Sequence, residues 1–83
     1  MPIETVLIQT YSRQQMPWGE CVWPDQLRVC GSRQEAMMRF YQVRAGLSDA
    51  VGAHVFCAWI GKDGRRYAQT LEEVGERTMV NAG

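Results

Sequence analysis

The sequence predicts an α+β fold for one domain over residues 1–83: a two-layer sandwich in which an antiparallel sheet of four to five strands carries two helices on one face, in the order βββαββα. Three observations lead there. Residues 51–60, VGAHVFCAWI, are β-branched, aromatic or small almost throughout and read as a buried strand. Residues 33–45 form an apolar stripe at helical spacing between a capping box and a glycine stop. Asp63-Gly64 is hairpin turn chemistry, so the strand before it is expected to return antiparallel.

In chain order, residues 3–11 (IETVLIQTY) favour a first strand, with Thr5, Leu7, Gln9 and Tyr11 on one side and Glu4, Val6, Ile8 and Thr10 on the other. Residues 12–15 are a polar connection, punctuated by Met16-Pro17-Trp18-Gly19. Residues 20–23 and 27–30 suggest two short strands joined at Pro24-Asp25-Gln26, where Pro and Asp supply turn geometry. In the first helix, Ser32 can cap the first-turn N–H groups and Glu35 can reach back to the Ser32 N–H; Ala36, Met37, Phe40, Tyr41 and Val43 share its apolar side. Gly46 is placed for a left-handed C-cap, and Leu47 to fold over the last turn.

The central strand alternates Val51, Ala53, Val55, Cys57 and Trp59 against Gly52, His54, Phe56, Ala58 and Ile60. Both sets are mainly apolar, so both faces require cover. Residues 66–69 form the second arm of the hairpin. Thr70 and Glu73 repeat the capping box, predicting a final helix over residues 71–80 with Leu71, Val74 and Thr78 inward and Gly75 allowing close approach to the sheet. The run Thr70-Leu71-Glu72-Glu73-Val74-Gly75-Glu76 resembles the opening of the helix-turn-helix in region 4 of bacterial sigma factors. Only seven residues carry the resemblance, and the residues up to Gly83 are too few for the recognition helix that follows in that family, so it implies a shared N-capping pattern rather than DNA reading.

Nine basic and nine acidic residues cancel, which removes any global field toward nucleic acid or an anionic membrane. Eight of the nine basic residues are Arg. No run of about 18 apolar residues suggests a membrane span, and the N-terminus lacks a basic-then-apolar leader. Cys21, Cys30 and Cys57 are odd in number and lack framework spacing, which fits reduced thiols in the cytoplasm.

Two helices can roof one face of such a sheet but not both. If ~400 Å² of the other face stays open, covering it is worth about 10 kcal/mol before association costs. Self-association as a homodimer, or docking of another protein, is therefore the leading functional expectation, and the open side presents either Phe56, Ala58 and Ile60 or Val55, Cys57 and Trp59, with Phe56 and Ile60 the candidate binding residues. Trp18 and Trp23, five residues apart and so on opposite faces of an extended stretch, are candidates for a further anchor, one buried and the other available to a partner. The competing expectation is that the loop over residues 12–19 closes the face. A second functional reading takes Arg65, Arg66 and Tyr67 as a basic ribbon for nucleic acid, with Tyr67 stacking on a base. A third takes Cys30, two residues before the helix, as a nucleophile lowered in pKa by the helix N-terminus, with His54 as its base. No cofactor motif is present. The spacing of Cys21, Cys30, His54 and Cys57 is also poor for zinc, because His54 and Cys57 point to opposite faces of a strand.

Overall fold

The computed structural model describes residues 4–76. Four strands and one helix follow one another: β1 (Thr5–Met16), β2 (Gly19–Cys30), α1 (Arg33–Arg44), β3 (Gly52–Ile60) and β4 (Arg66–Gly75). All neighbours are antiparallel and the sheet order is β2-β1-β3-β4. The architecture is α+β as expected, with ββαββ in place of βββαββα among the described residues.

The helix forms where the sequence places it. The Ser32 hydroxyl accepts from the Glu35 N–H at 3.2 Å, while the Glu35 carboxylate accepts from the Gly31 N–H at 2.7 Å, one residue earlier than the expected Ser32. At the other end Gly46 has φ 74°, and the N–H groups of Gly46 and Leu47 donate to the carbonyls of Val43 and Gln42. This is the Schellman pattern, yet Leu47 stays 80% exposed and does not fold over the last turn.

Ala36, Phe40 and Val43, one helical stripe, pack on Val6 and Ile8 of β1, on Ala53 and Val55 of β3 and on Cys30. Tyr41, expected on that stripe, is exposed. Val6, Ile8 and Thr10 on one strand and Ala53, Val55 and Cys57 on the next are buried because each set alternates toward the helix.

Three expectations are corrected. The polar residues 12–15 are not a connection: β1 runs through them to Met16 and pairs with β2, forming a two-stranded arm beyond β3, which pairs with β1 only up to Tyr11. Hydrogen bonding across the hairpin outweighs their polarity, since a ribbon wet on both faces needs no apolar alternation. This arm extends the sheet, so it does not close a face as a lid. The two short strands are one strand, β2, whose register shifts opposite Gln9 and Tyr11, where Pro24-Asp25-Gln26 forms a bulge instead of a turn. The Gln9 side-chain amide donates to the Gln26 carbonyl at 2.9 Å there.

The final helix is the largest correction. Residues 71–75 belong to β4, and the part of the expected helix beyond residue 76 lies outside the described residues. Val55 pairs with Glu72 and Phe56 with Thr70, leaving Leu71 as an extra residue in a bulge. Leu71 and Val74 still reach the core. Their spacing of three imitates a helix because the bulge inserts one residue between two inward positions. The likeness to a helix-turn-helix opening therefore falls on a strand. Gly75, with φ 72°, pairs with Gly52, and a Cβ on Gly52 would overlap the Glu76 carbonyl.

Candidate functional site

With the helix on one side, strand alternation assigns the other side of the sheet to Leu27 and Val29 of β2, Thr5, Leu7, Gln9 and Tyr11 of β1, His54, Phe56, Ala58 and Ile60 of β3, and Arg66, Ala68, Thr70 and Glu73 of β4. Among the described elements none packs over it. Leu27, Val29 and Ile60 are 58%, 66% and 63% exposed, far above what a covered strand leaves. Leu7 and Phe56 are half-buried.

The face is shaped. A shallow depression of about 340 Å³ lies between Gln9, Tyr11, Leu27, His54, Phe56 and Thr70. On its floor His54 Nε2 lies 2.8 Å from Thr70 Oγ, and the imidazole leans on the Phe56 ring with centroids 5.0 Å apart. A second depression of similar size lies at the Ile60 end of the sheet, lined by Ala58, Ile60 and Arg66 of this side and by the stacked pair Trp59 and Tyr67, whose strand positions alternate to the other. Gln9, Thr70 and His54 direct polar groups into an otherwise apolar surface, which suits a partner that buries side chains against it.

Phe56 and Ile60 lie on this face, so of the two sides of β3 it is theirs that α1 leaves uncovered. Trp18 and Trp23 do not join them. Trp18 sits in the turn at the tip of the arm, 73% exposed, its indole N–H donated to Cys21 Sγ at 3.2 Å; Trp23 is on the arm. The argument from alternating faces does not hold for this pair because Trp18 is not in a strand. The arm is fixed by Arg13, which bridges Glu20 at 3.1 Å and Glu76 at 2.6 Å. Leu27 and Val29 of the face were missed by the sequence reading. The available signal was their own two-residue spacing, with Cys30 turned the other way.

The basic hairpin is partly neutralised from within. Asp63 accepts from the Tyr67 hydroxyl at 2.6 Å and from the Arg65 N–H at 3.0 Å. These bonds hold the Asp63 carboxyl below its ordinary value, the Tyr67 hydroxyl contributing most, and push the Tyr67 hydroxyl up. Tyr67 also stacks on Trp59, so its ring is occupied on one side.

Cys30 and His54 are not brought together. Cys30 is buried on the helix side, whereas His54 is on the other. Burial pushes the Cys30 thiol up, and the Glu35 carboxylate adds to the shift against the weaker pull of Arg28 and Arg39. The carboxylate of the capping box thus opposes the helix N-terminus that was expected to activate the thiol. Among the described residues no group of three or more His, Cys, Asp or Glu could hold a metal ion, and no helix is long and apolar enough to cross a membrane. No family model, no curated protein and no solved structure matches this chain.

Proposed function

We propose that the chain is a non-catalytic protein-binding module, of accessory, adaptor or inhibitor type, that works through the sheet face opposite α1. One observation carries this reading: three strands present a contiguous surface of Leu7, Leu27, Val29, Phe56, Ala58 and Ile60 over which none of the described elements packs. Such a surface loses free energy in water and recovers it when covered by protein. The histidine, glutamine and threonine set into it give orientation to an otherwise greasy contact. Three free cysteines support a reducing, cytoplasmic setting.

Light scattering across a dilution series tests the reading, together with Leu27→Lys, which puts an ammonium on the apolar β2 side of the face. The native chain should exceed its monomer mass of 9.5 kDa at high concentration, or acquire added mass from a binding partner, and Leu27→Lys should abolish either. Association that survives Leu27→Lys unchanged would remove the face from the mechanism. Retention on immobilised nucleic acid that weakens steeply with salt would instead favour the Arg65-Arg66-Tyr67 ribbon.

A further inference from the structure

We propose that the occupant of the open face is a single acidic segment of another protein, its apolar side chains against Leu7, Leu27 and Phe56 and a carboxylate on Arg66. The proposal rests on the face being a binding surface and names the chemistry of its partner.

An unanswered charge carries the argument. Arg66 pairs with Ile60 and so stands on the open side, at the hairpin end of the sheet. Of the charged residues at paired positions of this side, Arg13 and Glu20 bind each other, Arg13 also holds Glu76, and Glu73 already interacts within the chain. Arg66 alone forms no ion pair or side-chain hydrogen bond among the described residues. The nearest carboxylate in sequence, Asp63, is engaged elsewhere: it accepts from the hydroxyl of Tyr67, whose strand position alternates to the helix side, and from the Arg65 N–H. A Cβ on Gly61 would come within 2.5 Å of the Tyr67 ring, so a glycine at 61 gives that arrangement its room. Lys62 and Arg65 belong to the same end, which makes three cations to one carboxylate over residues 62–66.

Geometry places the anion. Arg66 lines the depression at the Ile60 end together with Thr5, Ala58 and Ile60, so a guanidinium and a hydroxyl border apolar surface, a donor set suited to a carboxylate. The depression about Phe56 differs. Gln9 spends its amide N–H groups on the Thr10 and Gln26 carbonyls and has a carbonyl oxygen left to offer, from which an anion gains nothing. Phe56 to Ile60 is about 13 Å at ~3.3 Å per residue. An extended segment laid along β3 therefore brings an apolar side chain and a carboxylate to the two depressions when they are four residues apart.

Area selects a segment over a folded partner. Four strands at ~4.8 Å spacing and ~20 Å of length give roughly 400 Å² of flat face, half of the ~800 Å² that each side of a standard interface buries. One extended segment or one helix covers such a patch. A phosphate backbone would need cations along its whole track, whereas here they gather at one end and the remainder is Leu7, Leu27, Val29 and Phe56.

Selection of displayed random peptides on the native chain, followed by fluorescence polarisation of the selected sequences, tests the proposal. The binders should share a carboxylate four residues from an aromatic or branched apolar residue. Arg66→Glu, at an exposed site, should weaken them about tenfold, and exchanging their carboxylate for lysine should restore affinity for that variant alone. Leu27→Lys should weaken them as well. Binders without a carboxylate, or binders indifferent to Arg66→Glu, would overturn the acidic partner while keeping the face; binders indifferent to Leu27→Lys would remove the face too. A library that yields no binder would overturn the proposal, and salt-sensitive retention of an oligonucleotide beside it would assign Arg66 to phosphate. Self-association of the native chain that expels the selected peptides would overturn it in favour of a second copy.

Discussion

Val29→Thr separates the contribution of the open face to binding from its contribution to folding. The replacement stays β-branched, keeps its volume and keeps its strand preference, so the backbone of β2 is undisturbed. Burying a whole valine is worth roughly 1.5 kcal/mol or somewhat more, and 66% of Val29 is still in water in the protomer. About two thirds of that term, ~1 kcal/mol, is therefore realised only on association, and a threonine hydroxyl without a partner forfeits it. If the face is covered by a second copy about a two-fold axis, the interface contains the substitution twice. The dimer should lose ~2 kcal/mol, a weakening of about thirtyfold in Kd. Folding should lose only the buried third, ~0.5 kcal/mol, which for a domain this small moves Tm by about 2 to 4 °C. Sedimentation velocity over a dilution series reads the first quantity and a thermal melt of dilute monomer the second. An unchanged Kd beside that small melt shift would refute the assignment of Val29 to the contact surface.

Three further outcomes are expected. Gly52→Ala should cost more than ~2 kcal/mol in urea unfolding, because its Cβ would collide with the Glu76 backbone; Gly46→Ala, strained in φ but open in space, should cost about 1 kcal/mol. The Cys30 pKa is raised in the folded state, so its protonated form is favoured there, and the gain is present below the ordinary thiol pKa and fades as pH climbs through the raised value. Mass-resolved alkylation at pH 8 should label half-exposed Cys21 well before Cys30, and equal rates would contradict the burial. Asp63 is shifted the other way: its stabilisation holds above the ordinary carboxylate pKa and is lost as pH falls through the depressed value. Native protein and Asp63→Asn should therefore differ in melting temperature at pH 7 and converge in strong acid.

The legible parts of the fold are those where local chemistry and tertiary pairing agree. α1 shows its caps and its Ala36, Phe40, Val43 stripe in the sequence, and β3 shows its composition. The Asp63-Gly64 turn shows as well. Misreadings cluster at the two bulges. A bulge adds a residue without ending a strand, so at Pro24-Asp25-Gln26 it looked like a turn. At Leu71 the same device turned a strand's alternation into the spacing of a helix. Thr70 and Glu73 satisfy a capping pattern, but the hydrogen-bonding groups along β3 need a neighbour, and β4 supplies it. The imbalance between apolar sheet and available roof was visible in residues 51–60. Its extent was not, because losing the second helix and merging two strands into β2 both enlarge the uncovered side.

Those same two irregularities sit on the outermost strands, β2 and β4. Pro24 offers no N–H to an incoming strand, and the kink at Leu71 breaks the straight ladder a newcomer would copy. Lateral recruitment of further chains, the route to fibrils, is discouraged at both margins. On the proposed reading, association is left to the open side of the sheet, which a single partner layer covers.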